Sequence, residues 1–515
     1  MVIQEAATEA PPRRRRISAP DLGVVVAWLW AGFIAVVAFA VYVHRYEYPP
    51  ALFWDENYHI ASAQKYLNGV FFMEPHPPLG KLLIALGEHL VHANPTNDQF
   101  IGTDYIRDPP PDFSLAGYRL IPAVLGWLTA PVLYACFLLV TQRPTWAGFL
   151  SFLYVFDNAL IVHSRGAMLD STLLFFSALT ILAFLLAYKW RNWPGGLRMA
   201  GVLFGLAFAC VILTKAFGLV LVLLIPVLLV SVWPHGRAWL NFCLYAAPPF
   251  LLTYILVWQV HFALGTRVVP SLPNDGFYEA SPEYREVLAQ SRNVSPASFP
   301  IMLRDSIRFS FIYTQGVPRL DLSKPDENGS PFFLWPLGAR SINYRWETPD
   351  GQNYRYLYLQ VNPVAWFVAL LGVVLAASFV LHTLTVDPTE HRESRFLLLT
   401  FFGLYVAYMV AISRFDRVLY LYHYFLPLLI SFFLVALVVK EARTIGPWHL
   451  SEARKSVGLF IVAALIVLAF RVYGPLTYYE PLRDEAVRAR AVFPLWELHC
   501  VRCPRESILV VYKTE

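Results

Sequence analysis

Charge is what this sequence has least of. Only 15% of its 515 residues are Asp, Glu, Lys or Arg, where a soluble domain carries about a quarter. One soluble core cannot hide a chain that is 57% hydrophobic and 16% aromatic, so a fully soluble fold is excluded. The formal charge of +5 is small and spread along the chain, and no zinc finger or RNA-binding signature appears, so nucleic acid is not a partner. No P-loop or GxGxxG is present to cradle a nucleotide phosphate. HxxxH and HExxH pairings are also absent. There are five cysteines. Cys136, Cys210 and Cys243 lie in apolar runs and read as small buried hydrophobes. Only Cys500 and Cys503 have a spacing that suits a disulfide or half of a metal site. No internal repeat, low-complexity tract or cleavable signal is visible: Arg13–Arg16 precede an apolar run, Val24 to Val43, that is too long for a signal peptide.

What the sequence does have is long apolar runs, many near or above the ~18 residues that suggest a membrane span. Eleven spans can be drawn, at 22–43, 116–140, 146–163, 171–188, 198–213, 217–233, 239–262, 364–384, 396–412, 418–439 and 456–473. The run from Met199 to Trp233 is broken only by Lys215 and is divided into a hairpin there, because one helix of that length overshoots a ~30 Å hydrocarbon core. With residues 1–21 as a basic cytoplasmic N-terminus, the short inner loops hold Arg143, Lys189, Arg191, Arg198, Arg237, Arg392, Arg395, Lys440, Arg443, Arg454 and Lys455. This is a steady positive-inside bias. Residues 44–115, 263–363 and the tail 474–515 then fall outside. The second long loop carries Pro-rich pieces such as Val317–Pro336 that suggest irregular structure. The stretches Tyr58–Leu67 and Leu79–Leu90 have helical spacing and read either as interfacial helices or as helices packed on the spans.

The polar residues near span ends gather on one side. They are Asp55 and Glu56, His76, Lys81, Arg119, His163, Arg165, Asp170, Lys215, Arg414, Asp416, Arg417, Tyr422 and His423. Ionisable groups at membrane depth are costly and mark function. A carboxylate there supplies a general base and several cations hold an anion such as a phosphate. An anionic lipid headgroup at the outer surface fits this pattern.

Several blocks carry a family resemblance: Trp54-Asp55-Glu56-Asn57-Tyr58-His59, the run Phe71 to Lys81 with its His76-Pro-Pro-Leu-Gly-Lys81, Ser164-Arg165-Gly-Ala-Met-Leu-Asp170, Ser330-Pro-Phe-Phe-Leu-Trp-Pro-Leu337, Asn362-Pro363, and Arg417 to Tyr424. In this order they resemble the protein O-mannosyltransferase family over nearly the whole chain. The resemblance implies an all-α polytopic GT-C glycosyltransferase, with residues 22–473 as its transmembrane domain. It implies inverting transfer of a sugar, commonly mannose, from a polyprenyl-phosphate donor to a Ser or Thr hydroxyl, outside the cytoplasmic membrane. Asp55 is then the general base. Arg119, Arg165, Arg417 and His423 are placed nearest the donor phosphate, followed by Lys81 and Lys215. Asp170 orients Arg165 or acts directly, Glu56 and His76 shape the loop or the sugar site, and Tyr422 belongs to the donor site. No cofactor or metal ligand set is implied, though a divalent cation stays open. The segment 263–363 is too short for the β-trefoil module of eukaryotic members, which suggests a compact bacterial form. A lipid or glycan acceptor, as in the related aminoarabinose transferases, and a lipid-linked-sugar transporter are the alternatives.

Overall fold

The computed structural model describes residues 22–102, 108–232, 236–272, 275–324, 327–385, 392–445 and 447–503. The basic N-terminal segment and the last twelve residues lie outside that set. Among the described residues nine helices are long and apolar enough to cross a membrane, and ten if Pro144–Val155 and Asn158–Ser164, bent by 63° at Phe156–Asp157, form one span. The count differs from eleven at the expected span 217–233. There the chain forms a 3₁₀ segment, Ala216–Leu223, followed by an α-helix, Leu224–Val232. A 3₁₀ turn rises ~2.0 Å per residue against ~1.5 Å in an α-helix, so these seventeen residues still reach roughly 30 Å.

Leu22–Tyr42, Ala116–Thr141, Asp170–Lys189 and Pro194–Ile212 pack successively, and Gly236–Leu264 lies against Pro194–Ile212. Helix Leu421–Glu441 is the central member, with nearly all of its length buried. In a bilayer, buried helix faces gain from close packing rather than from escaping water, so small residues mark the tightest approaches. Gly205 is one: a Cβ there would meet the Ala246 carbonyl carbon at 2.9 Å.

The first long loop is mostly helical. Glu56–Leu67 is buried on most of its surface, including Glu56, Asn57, His59, Gln64 and Lys65. It is a packed helix, and protein rather than lipid surrounds it. Leu79–Val91 buries Lys81, Ile84, Ala85 and Glu88 while Leu86 and Leu90 stay exposed. Its contact with Ala116–Thr141 is a backbone approach in which a Cβ on Gly87 would collide with the Gly117 carbonyl oxygen.

The second long loop is more regular than its proline content suggests. It contains helices Pro282–Ala289 and Phe299–Gly316, and strands β1, Ile342–Glu347, and β2, Tyr354–Leu359, paired antiparallel. The tail supplies a third strand, β3, Pro481–Leu482, against β2. The fold is mostly helical, as expected, and carries a small three-stranded sheet in its outer segments. Alternation hides these strands in the sequence, because aromatic Tyr354, Tyr356 and Tyr358 read equally as interface anchors. The tail is tied down further by a buried Arg340–Glu497 ion pair at 3.1 Å and by a Cys500–Cys503 disulfide.

Candidate active site

The chain turns sharply before Asp55. Trp54 holds φ at +51°, a left-handed conformation that a bulky residue adopts only when its surroundings enforce it. Those surroundings are aromatic: the Trp54 ring lies 5.2 Å from Tyr344 and 5.1 Å from Tyr420. The following residue, Asp55, opens helix Glu56–Leu67 without spending its carboxylate on the cap. The only side-chain contact to that carboxylate among the described residues is a long one, 3.5 Å from the Tyr422 hydroxyl.

Glu56, one residue later, is sealed. Its Oε1 accepts from Arg119 Nε at 2.7 Å and from the Ala167 amide at 2.8 Å. Its Oε2 accepts from Arg119 Nη2 at 2.7 Å and from the Phe53 amide at 3.1 Å. Arg119 gives its remaining donors to the carbonyls of Glu47 and Pro49 at 2.7 Å and of Ala51 at 2.8 Å. All five guanidinium N–H groups are used, and both residues are fully buried. Arg119 thus has no donor left for a phosphate. Arg165 also faces away from the site, donating to the carbonyls of His44 and Arg45 and lying 4.7 Å above the Tyr478 ring. Lys81 pairs at 2.5 Å with Glu74, which also accepts from Ser62 and from the His76 amide. Glu56, Lys81, Arg119 and Arg165 are therefore frame residues, and none lines the cavity described next.

That cavity, about 160 Å³, is lined by seven of the eleven residues expected at the site: Asp55, His76, Asp170, Lys215, Arg417, Tyr422 and His423. Asp170 does not orient Arg165. It holds Lys215, whose Nζ donates to both carboxylate oxygens at 2.8 Å, and His163, whose Nε2 lies 2.8 Å from Oδ2. His163 Nδ1 in turn sits 2.6 Å from the Tyr344 hydroxyl, which strand β1 delivers from the second long loop. The result is a buried chain Tyr344–His163–Asp170–Lys215. The His163 ring stacks on Tyr422 at 4.9 Å, which links this chain to the residue that touches Asp55. Arg417 differs from Lys81, Arg119 and Lys215 in forming no ion pair among the described residues, and from Arg165 in lining the cavity; its Nε is buried with no hydrogen-bond partner. His423 is pinned by the Tyr420 backbone, whose N–H lies 3.1 Å from Nδ1.

Burial pushes the Asp55 carboxyl above its ordinary value, opposed by Lys215 and then His163 and supported by Asp170. Burial also pulls His59 and His76 well below the usual histidine range, with Lys81 adding to both. The Ala167 carbonyl accepts from His59 Nδ1 at 2.8 Å, so the neutral ring keeps its proton there and offers Nε2 as an acceptor. His59, His163, Phe217, Tyr313 and Tyr420 line the cavity as well, and none of them was in the expected donor site. His59 was legible, lying four residues after Asp55 on one helix face. Tyr313 and Tyr344 come from the second long loop and had no local signal. Among the described residues no group of three or more His, Cys, Asp or Glu side chains is arranged to hold a metal ion.

The comparisons with known proteins agree with one another. Two family models match, one described as dolichyl-phosphate-mannose-protein mannosyltransferase at residues 32–264, the other as the C-terminal four TMM region of protein-O-mannosyltransferase at 319–496. Four of the long apolar helices fall in the second stretch. Protein O-mannosyltransferase 1 of Drosophila pseudoobscura pseudoobscura is 30% identical over 264 residues, 47% of this chain and 28% of that protein. Dolichyl-phosphate-mannose--protein mannosyltransferase 1 of Schizosaccharomyces pombe is 28% identical over 303 residues, 54% of this chain and 31% of that protein. The matched segment thus spans about a third of the length of these relatives. The Saccharomyces cerevisiae protein O-mannosyltransferase Pmt1-Pmt2 complex bound to the sugar donor shares the fold, with a TM-score of 0.75 at 15% identity, covering 91% of this chain and 92% of that one. With a GT-C-type membrane fold and family models matching most of its length, this chain belongs to the protein O-mannosyltransferase family.

Proposed function

We propose that this protein is an inverting mannosyltransferase that moves mannose from a polyprenyl-phosphate donor to Ser or Thr hydroxyls of proteins, on the extracytoplasmic face of the cytoplasmic membrane. The observation that carries the reading is the pairing, on one cavity, of an uncommitted carboxylate, Asp55, with an uncommitted guanidinium, Arg417. Asp55 takes the proton of the acceptor hydroxyl as its oxygen bonds to the anomeric carbon. The bond from that carbon to the lipid phosphate breaks on the opposite side, and the phosphate leaves with the electron pair, so configuration inverts. Arg417 receives the leaving phosphate with charge-assisted hydrogen bonds. Lys215, with two of its three N–H groups on Asp170, adds positive field and one remaining donor.

A carboxyl raised by burial suits the task, because a base nearer the working pH pulls harder on the proton. Placement argues against transport. Asp170 and Lys215 sit at helix ends around one cavity, whereas a transporter gathers its substrate-binding charge on broken helices at mid-membrane. The positive-inside bias supports the orientation.

The test uses purified protein, radiolabelled polyprenyl-phosphate-mannose and a Ser/Thr-rich peptide, with Asp55→Asn alongside. Labelled peptide from the wild type and none from the folded variant is the expected result. Label appearing in lipid or glycan instead would move the acceptor, and full activity of the variant would remove Asp55 as base.

A further inference from the structure

The helix Asp170–Lys189 has the site at its first residue and the opposite membrane face at its last, ~30 Å away at 1.5 Å per residue. At that far face lies a second, larger cavity of about 790 Å³, between the starts of helices Pro194–Ile212 and Gly236–Leu264 and the end of Leu224–Val232. Arg191, Arg198 and Arg237 line it, and among the described residues no carboxylate does. Arg198 and Arg237 form no ion pair among the described residues, and the Arg198 guanidinium is steadied 5.3 Å above the Tyr245 ring. Two helix N-termini open on the same space and add their partial positive charge. One wall continues as Leu240 and Leu244, four residues apart on one helix face, 52% and 61% exposed to what is hydrocarbon in a bilayer. A positive-inside bias accounts for cations at this face, but not for their convergence on a cavity with an apolar exit into the membrane.

We propose that this cavity binds the headgroup of an anionic phospholipid from the leaflet opposite the Asp55 site, with Arg198 and Arg237 on the phosphate and Leu240 and Leu244 along an acyl chain. A cation near a membrane surface contributes about 1 kcal/mol toward an anionic lipid, which is roughly fivefold in affinity.

The experiment is native mass spectrometry of the purified protein titrated with phosphatidylglycerol and, separately, phosphatidylcholine. The variants are Arg198→Gln, Arg237→Gln and Arg454→Gln. Arg454 is a useful control because it sits outside the cavity, on helix Glu452–Thr477, with its guanidinium on the His449 carbonyl. The expected result is preference for phosphatidylglycerol, weakened roughly fivefold by either cavity substitution and unchanged by Arg454→Gln. Equal loss in all three variants would reduce the effect to bulk charge and overturn the proposal. No preference for the anionic lipid, or displacement of bound lipid by equimolar inorganic phosphate, would also overturn it. Because binding is read without turnover, the outcome is independent of whether Asp55 is a base.

Discussion

Around Glu56, each carboxylate oxygen has two donors and its partner Arg119 has no unused N–H. Around Asp55, one residue earlier, the carboxylate has among the described residues a single 3.5 Å hydrogen bond and faces a cavity. Both groups sit in the same loop, but Glu56 is fully buried whereas Asp55 is half-buried at the cavity wall. Burying a charge is tolerable when it is paired and bonded, and Glu56 meets that condition. It joins the turn at Phe53, the loop at Ala167 and the helix at Arg119 into one rigid mount. Asp55 does not meet it, and the mount is what keeps an unsatisfied carboxylate in place. Charge that is sealed and matched builds the frame, and charge left unmatched at a cavity wall is available for chemistry.

Substitutions that treat the two carboxylates alike should separate them. Asp55→Asn is expected to cut peptide mannosylation by about 10²–10⁴-fold, the usual worth of a general base, without lowering the unfolding temperature. The sign follows from linkage. A carboxyl whose folded pKa is raised contributes stability below its unfolded value, and that contribution is lost as pH rises through the folded value. At neutral pH the charged Asp55 is therefore a cost, and the amide removes it. A clear fall in melting temperature at pH 7 would contradict this account.

Glu56→Gln should behave in the opposite way. It strands a buried guanidinium, a change worth about 3–5 kcal/mol of stability, so the unfolding transition falls and activity falls with the folded fraction. Arg119→Lys should not rescue the frame, since three donors cannot replace five N–H groups in a planar fork. A next, smaller effect is expected at Arg417, where a hydrogen bond to a charged group is worth about 1.5–3 kcal/mol. Arg417→Lys should lose roughly ten- to a hundredfold in kcat/KM with an unchanged melting curve. Arg165→Lys, by contrast, should show its loss in stability first. The smallest effect is a pH shift. Asp170 raises the Asp55 pKa and also restrains Lys215, which lowers it. In Asp170→Asn both changes act downward, so the acid limb of the pH–rate profile should move to lower pH. Movement to higher pH would show that the two carboxylates do not share one field.

Much of the fold was legible because the bilayer demands it. Apolar runs with sealed backbones can be read one by one, and ten of the eleven drawn spans correspond to long helices or to the bent pair. The exception, the expected span 217–233, is apolar enough but partly 3₁₀, and hydropathy does not register helix type. The strands were missed because aromatic alternation in a mostly helical membrane chain has a second meaning. Within the site, one-sidedness was visible from span ends alone, and seven of the eleven chosen residues do line one cavity. The other four were placed on charge, and charge in a sequence carries no record of its partner. Arg119 and Arg417 look identical until the packed chain shows which donors are already taken.

The sequence by itself determined that this is a membrane protein, which polar groups lie at which ends of its helices, and which family its ordered motifs resemble. Those properties are local, set by runs and spacing against a solvent of known thickness. Tertiary structure decided which of two adjacent carboxylates is free, and that Asp170 serves Lys215 and His163 rather than Arg165. It also brought Tyr344, 181 residues away in the chain, onto His163. Those outcomes depend on hydrogen-bond partners supplied from distant segments. Such pairing exists only once the helices have packed.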